Sequence, residues 1–334
     1  MTTRIRELDA LRGFAVCGIM LVNTWQHAVA DQPRNGLDQV VDLVFQARFY
    51  PIFSVLFGMG FVLFTRRASR WVLARRLLWL LLFGLVQHTF YGGEVLTPYA
   101  LTGLLVLLPA SFLAQGWPIA MLSAGALVWA AYAGGGRLLI PGLFLAGMAI
   151  MELRPDRRLL APFFAVGTVG SLVLVIFYAD SQVWTYYTAA TLLGALSYAT
   201  GLLLLLGPAE RATGARAALY GVLEPLGRMA LTNYVTGTLV IFLADGPLRA
   251  DRTRWSVVAL AVATVLVQVL WSRWWLARYR YGPLEWIWRC LTWFRRVPNR
   301  LESRRDHHRP LPDPGLPRPG GQPPAGPERP GPGP

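Results

Sequence analysis

Four polar side chains in the first apolar segment have the residue types that group-transfer chemistry needs: Asp9, Arg12, Asn23 and His27. At about 100° per residue, a helix places all four within an arc of about 60°. The helix between the first and last of them is about 27 Å long, close to the thickness of a bilayer's hydrocarbon core. The pattern therefore predicts a polar stripe along one transmembrane helix.

This stripe has a functional interpretation and a structural one. Polar groups within a membrane helix usually face a protein interior or a wet cavity, so four of them on one arc indicate a site. Alternatively, Asp9 and Arg12 form an interfacial pair that anchors the helix end, and Asn23 holds two helices together.

The composition indicates a polytopic membrane protein. Of 334 residues, 54% are hydrophobic and 15% are charged, and the net charge is +14. Every basic residue is arginine, and the arginines lie mainly in short loops and in the C-terminal tail, so the charge indicates membrane orientation and no nucleic-acid partner. The two cysteines give no disulfide framework. No metal-binding or nucleotide-binding motif is found, and we expect no bound metal or cofactor.

The apolar segments predict an all-α bundle of about ten transmembrane helices in the bilayer. Their approximate positions are 9–29, 43–65, 71–91, 95–114, 117–134, 138–153, 160–179, 186–206, 226–245 and 255–277. We expect the first segment to be an uncleaved span, although it resembles a secretory signal. The arginine distribution predicts that both termini are cytoplasmic.

The C-terminal end is expected to differ from the bundle. Gly282 and Pro283 predict a break followed by a short interfacial or re-entrant helix, in which Glu285 and Arg289 are spaced for an i,i+4 pair. Residues 1–296 should form the bundle. Residues 297–334 are rich in arginine, proline and glycine, which predicts a disordered cytoplasmic tail.

Polar residues near the ends of other spans are candidates for substrate binding: Arg48, His88, Glu94 and Tyr99 toward the outer face, and Arg228, Asn233 and Glu285 toward the inner face. Asp42 is an alternative partner for Arg48. Asn233 is equally well explained as a helix-to-helix contact. Inner-face arginines, Arg75, Arg76 and Arg228 among them, would attract phosphates, although the positive-inside rule also explains them. In the second span, Ser54 and Gly58 predict close helix packing.

Four segments resemble the YeiB-like family of bacterial membrane proteins: RELDALRGFA (6–15) with GIMLVN (18–23), FSVLFGMGF (53–61), GRMALTNY (227–234) and GPLEWIWR (282–289). The resemblance runs from about residue 4 to 295, with the C-terminal half at about 160–296. Two positions depart from the family pattern: Gly237 stands where glutamine is expected, and Glu94 where aspartate is expected.

The first segment is also similar to that of the wider transmembrane acyltransferase group, which includes lysosomal heparan-glucosaminide acetyltransferases. That similarity implies catalytic roles for Asp9, Arg12, Asn23 and His27, with acyl-CoA as co-substrate and a lipid or glycan as acceptor. The leading hypothesis is an acyltransferase of the bacterial cytoplasmic membrane. A transporter or exporter of a small amphiphile, with the stripe as its pathway, and a non-enzymatic membrane protein are the alternatives. The sequence indicates no oligomeric state.

Overall fold

The structure, a computed structural model, describes residues 5–29, 33–113, 116–251 and 253–301. These residues form helices joined by turns, and the chain up to Asn299 is one compact unit. The predicted disordered tail falls, from residue 302 onward, outside the described residues. The predicted all-α fold is confirmed.

Eight labelled helices make up the first part of the chain: α1 (Arg6–Val29), α2 (Gly36–Val44), α3 (Phe49–Thr65), α4 (Arg70–His88), α5 (Leu96–Thr102), α6 (Leu108–Ala110), α7 (Trp117–Tyr132) and α8 (Leu139–Leu153). A π-helical turn, Gly103–Leu107, joins α5 to α6. The second part contains α9 (Leu160–Ser181), α10 (Trp184–Leu206), α11 (Gly214–Arg228), α12 (Ala230–Leu243), α13 (Asp245–Ala250), α14 (Trp255–Leu276) and α15 (Pro283–Trp293).

Within the described residues, six helical segments are long and apolar enough to cross a membrane: Gly36–Thr65, Arg70–His88, Gly136–Leu153, Arg157–Ser181, Trp184–Arg211 and Trp255–Leu276. The chain is therefore a polytopic membrane protein. The bent pair α11 and α12 makes a seventh if it counts as one span. The segments Leu96–Ala110 and α7 are apolar but shorter. α1 has 24 residues, but its polar stripe interrupts its apolar character. The predicted number of ten is thus not confirmed.

The predicted span 226–245 is not one straight helix. α11 and α12 meet at an angle of 79°, with only Met229 between them. Pro225 lies inside α11 and cannot continue the backbone hydrogen-bond ladder, which weakens the helix just before this bend. The sequence prediction of this span did not include the bend, because its apolar pattern does not show where the helix axis changes direction.

Two glycines, one on α1 and one on α3, allow close contacts between helices. A Cβ built at Gly13 of α1 would lie 2.0 Å from the Leu223 carbonyl oxygen of α11. In the same way, a Cβ at Gly58 of α3 would lie 2.1 Å from the Phe144 oxygen of α8. Backbones approach this closely only where one residue has no side chain. The close packing predicted at Gly58 is confirmed.

α15 folds back onto the bundle, where it caps α12. The Glu285 carboxylate accepts hydrogen bonds from the backbone N–H groups of Leu231, at 2.8 Å, and Thr232, at 3.0 Å. The Thr232 hydroxyl donates a third bond to it at 2.6 Å. A carboxylate is stabilised at a helix N-terminus, where the first N–H groups have no partner in the helix. The predicted pair between Glu285 and Arg289 was wrong, because Arg289 stacks instead over the Tyr281 ring at 4.7 Å.

Candidate functional site

A cavity of about 250 Å³ lies where α1 begins, enclosed by α1, α3, α4, α5, α11, α12 and α15. Its walls are mostly apolar, but three guanidinium groups reach it, from Arg12, Arg76 and Arg228. We call it the arginine cavity. Glu285 and Trp288 of α15 also line it, so the last helix closes one side.

The arginine cavity carries an excess of positive charge. Arg12 is paired with Asp9 at 2.8 Å, but Arg76 forms no ion pair with any described carboxylate. The Arg76 guanidinium instead lies 3.5 Å from the centre of the Trp288 ring and 5.0 Å from that of Phe64. Since the Glu285 oxygens are already bonded to α12, the cavity favours an anionic ligand group.

A second cavity, of about 370 Å³, lies where α1 ends. Three amide side chains line it, those of Asn23, Gln26 and Gln46, and we call it the amide cavity. The other side chains able to hydrogen bond or stack there belong to Tyr50, Tyr99, Arg137, Trp184, Tyr187, Thr188 and Thr191. Amides, hydroxyls and aromatic rings together suit a polar, uncharged or weakly charged molecule.

The predicted stripe divides between several surroundings. Arg12 lines the arginine cavity and Asn23 lines the amide cavity. Asp9 is buried beside α11, and His27 turns toward α13. On the helix, Asp9 and His27 share one direction, about 40–60° from that of Arg12 and Asn23. This difference is enough to put one pair on the cavity side and the other against neighbouring helices.

His27 does not line either cavity; it contacts an acidic residue on α13. Its Nε2 atom lies 2.8 Å from Oδ1 of Asp245, and its ring centre lies 5.9 Å from that of Tyr91. Asp245 also accepts a hydrogen bond from Arg249 at 2.7 Å. That bond and, after it, the nearby His27 hold the pKa of the Asp245 carboxyl below its usual value. Asp245 therefore stays ionised and can orient the imidazole.

Of the predicted outer-face residues, His88 and Glu94 come together and Arg48 lies apart. His88 Nδ1 is 3.8 Å from Glu94 Oε1, and Glu94 also accepts a hydrogen bond from the Thr97 backbone at 2.8 Å. Arg48 is buried against Gly194 of α10 and donates from Nη2 to the Leu43 carbonyl, while its Nη1 has no partner among the described residues.

Asn233 forms a contact between helices, and Asp42 is paired with a residue other than Arg48. The Asn233 amide donates to the Leu226 carbonyl at 3.2 Å and to the Ser272 hydroxyl at 3.1 Å, which ties α12 to α11 and α14. Of the two interpretations of Asn233, these bonds favour the structural one. Asp42 accepts a bond from Arg34 at 2.6 Å, so it is not the partner of Arg48.

Comparisons with known proteins identify a family of unknown function and uncharacterised relatives. Residues 151–295 match the family model described as "Protein of unknown function (DUF418)". An uncharacterised 39.9 kDa protein of Bacillus acidopullulyticus, named for its place in the amylase 3′ region, is 32% identical over 347 residues, which cover 91% of this chain and 98% of that protein. The chain belongs to the DUF418 family.

Two further relatives confirm the YeiB-like resemblance of this DUF418 protein. The uncharacterised protein YeiB of Escherichia coli (strain K12) is 26% identical, covering 85% of this chain and 95% of YeiB. The uncharacterised protein YxaH of Bacillus subtilis (strain 168) is 27% identical, covering 87% of this chain and 94% of YxaH. No solved structure matches the chain.

Several cavity residues of the DUF418 protein were not predicted from its sequence. Gln26 and Gln46 belong neither to the predicted stripe nor to a motif, and Trp184 and Tyr187 begin a helix in which the sequence analysis singled out no residue. Arg76 was considered with Arg75, but only Arg76 lines the cavity, while Arg75 stacks on Phe294 at 4.3 Å. One signal in the sequence could have separated the two arginines: adjacent residues of a helix such as α4 point about 100° apart.

Proposed function

We propose that this protein is an acyltransferase of the bacterial cytoplasmic membrane, with both termini in the cytoplasm. It would take an acyl group from a cytoplasmic acyl-CoA and transfer it to an acceptor at the outer face or within the bilayer. One observation carries the proposal: the arginine cavity and the amide cavity lie toward opposite ends of α1 and are separated by a single wall. A donor and an acceptor on opposite sides of a membrane need this arrangement.

The arginine cavity is suited to the donor. Acyl-CoA combines phosphates with an apolar chain, and this cavity combines guanidinium groups with the apolar walls of Leu77, Leu80 and Phe57. Arg76 and Arg228 would bind the phosphates, and Asp9 would hold Arg12 at the cavity mouth through their 2.8 Å pair. The excess of arginine in the short loops supports a cytoplasmic position for this end.

The amide cavity is suited to the acceptor, a lipid or glycan with a free hydroxyl or amine. In the proposed reaction the acceptor hydroxyl oxygen bonds to the acyl carbon and the carbon–sulfur bond of the thioester breaks. His27 lies one helical turn beyond Asn23 and outside the cavity, so its imidazole would turn from Asp245 toward the acceptor to take the hydroxyl proton and return it to the departing thiolate. Asn23 would donate a hydrogen bond to the carbonyl oxygen as its negative charge develops.

Donor binding is tested by thermal unfolding of the detergent-purified protein with acetyl-CoA, longer acyl-CoAs and free CoA. A ligand at 100 times its Kd adds about 2.7 kcal/mol to stability, a clear rise in melting temperature. We expect this rise in the parent protein, its loss in Arg76→Ala, and its retention in Arg75→Ala. The adjacent arginine is the matched control because it does not line the cavity. Equal shifts in both variants, or no shift in the parent, would contradict the donor site.

His27 is tested by its effect on the transfer itself. Replacing His27 by alanine should lower the rate of acyl transfer by about 100-fold, the usual contribution of a general base. Acyl transfer is measured with radiolabelled acyl-CoA and a crude lipid and glycan extract as the acceptor source. His88→Ala removes an exposed imidazole at the end of α4 and should leave the rate within about twofold of the parent. Full transfer by His27→Ala would exclude the proposed base.

A carrier for a small amphiphile is the second candidate. The position of His27 favours it, because the imidazole contacts Asp245 and lines neither cavity. In a carrier, His27→Ala would leave substrate binding intact and slow only its movement across vesicles. Binding of an acyl-CoA without any acyl transfer, combined with such a flux defect, would select this candidate over the acyltransferase.

A further inference from the structure

The two cavities are separated by one thin wall near the middle of the bundle. Three residues line both of them: Ile19 of α1, Val95, which precedes α5, and Tyr99 of α5. Ile19 and Val95 are aliphatic, and Tyr99 contributes the only hydroxyl to this wall. A charged group would therefore lose its hydration in passing between the cavities, whereas an apolar group would not.

The Tyr99 side chain fills the space between the cavities, and neighbouring residues hold both its hydroxyl and its ring. It is only 1% exposed, and its hydroxyl lies 2.6 Å from the Ser54 hydroxyl and donates to the Tyr50 carbonyl at 3.2 Å. Its ring packs edge-on against Phe144, with ring centres 5.0 Å apart, and against Phe57 at 5.5 Å. A third aromatic contact is with Phe53, at 6.0 Å between ring centres. Two hydrogen bonds and three aromatic contacts thus keep the wall closed.

The helix that carries Tyr99 is irregular just beyond it. The π-helical turn Gly103–Leu107 starts four residues after Tyr99 and holds an extra residue per turn. Such turns are less stable than α-helix and occur often at functional positions. Gly103 rests on α4, where a Cβ would lie 2.7 Å from Leu77. A change between π and α geometry at this point would rotate Tyr99 relative to that contact.

We propose that Tyr99 is the partition between the two cavities, and that its displacement joins them into an apolar passage for the uncharged part of a ligand whose anionic part stays in the arginine cavity. In the acyltransferase this part is the acyl chain, and in the carrier it is the tail of the amphiphile. The inference rests on the shared wall and goes beyond both candidate functions, because it assigns Tyr99 under either of them.

The partition is tested by the accessibility of a cysteine on one side of it. In a variant with Cys17→Ser and Cys290→Ser, Asn23→Cys places a thiol in the amide cavity. The protein is reconstituted into phosphatidylcholine vesicles in both orientations and treated with a thiosulfonate on an alkyl chain that ends in a sulfonate. The sulfonate keeps the reagent from crossing the bilayer, and only the uncharged, thiol-reactive end has to enter the passage. Only protein molecules whose amide cavity faces the outside of the vesicle should react. Detergent then exposes the remaining molecules, and labelling in detergent gives the total number of reactive thiols.

Removing the Tyr99 ring should give the reagent a second route to the thiol, through the arginine cavity. In Tyr99→Ala the labelled fraction should rise from the outward-facing share to nearly all copies, whereas Tyr99→Phe, which keeps the ring, should match the parent. Phe61→Ala is the control, because Phe61 is equally buried but lines only the arginine cavity. Ile19→Ala thins the same wall and serves if Tyr99→Ala does not fold. An unchanged labelled fraction in the folded wall variants would overturn the partition, whatever the outcome of the acyl-transfer assay.

Discussion

Replacing Arg254 by alanine is expected to lower the free energy of unfolding by about 3–5 kcal/mol, the usual cost of removing one member of a buried ion pair. Arg254 Nε lies 3.4 Å from Asp38 Oδ1, and the two side chains are 1% and 2% exposed. Nη2 also donates to the Pro33 carbonyl at 3.1 Å. The variant would leave the Asp38 carboxylate buried without its cation, and thermal unfolding in detergent measures the loss.

The control for this variant is an ion pair at the surface. Arg249→Ala breaks the 2.7 Å pair with Asp245, whose side chains are 43% and 40% exposed. Because solvent already screens it, this change should cost less than about 1 kcal/mol. Adding Asp38→Asn to Arg254→Ala should recover part of the loss by removing the stranded charge. Equal melting temperatures for the two single variants would show that the buried pair does not hold α2 against the start of α14.

The helical architecture could be predicted from the sequence because its signals are local. Apolar runs bounded by arginine-rich turns gave the positions of α3, α4, α9 and α14 to within a few residues, and Gly282 with Pro283 gave the start of α15. The bend at Met229 could not be predicted, because a distant carboxylate, Glu285, bonds the first N–H groups of α12 after the break. Pro225 is a local signal that the helix weakens there, but the carboxylate that holds the bend lies far along the chain.

The candidate site could be predicted only in part for a related reason. The stripe on α1 follows from the helical period alone, so its four residues could be predicted from the sequence. Which cavity each member faces depends on the neighbours of α1: α13 supplies Asp245 to His27, and α5 supplies Tyr99 to the wall beside Asn23. Arg254 lies in a loop with no motif and came to notice only through its buried partner.

Gly227→Ala is the other change with a large expected effect, because it separates α1 from α11. The added Cβ would lie 1.8 Å from the Asp9 carbonyl oxygen and 2.8 Å from the Gly13 nitrogen. Both are backbone atoms of α1, so no side chain can rotate away and the helices must move apart. We expect a loss of about 3 kcal/mol, at the upper end for overpacking, seen as a lower melting temperature in detergent.

This change should also affect the arginine cavity, since Gly227 and Arg12 both line it. The rise in melting temperature that acyl-CoA causes should be smaller in Gly227→Ala than in the parent, when each rise is measured from the melting temperature of the same protein without ligand. Gly221→Ala on the same helix is the matched control, because its Cβ would meet nothing within 4 Å. Alanine favours a helix by about 1 kcal/mol over glycine, so this control should be neutral or stabilising. Similar losses in both variants would mean that Gly227 contributes through its flexibility and not through the backbone contact of α1 with α11.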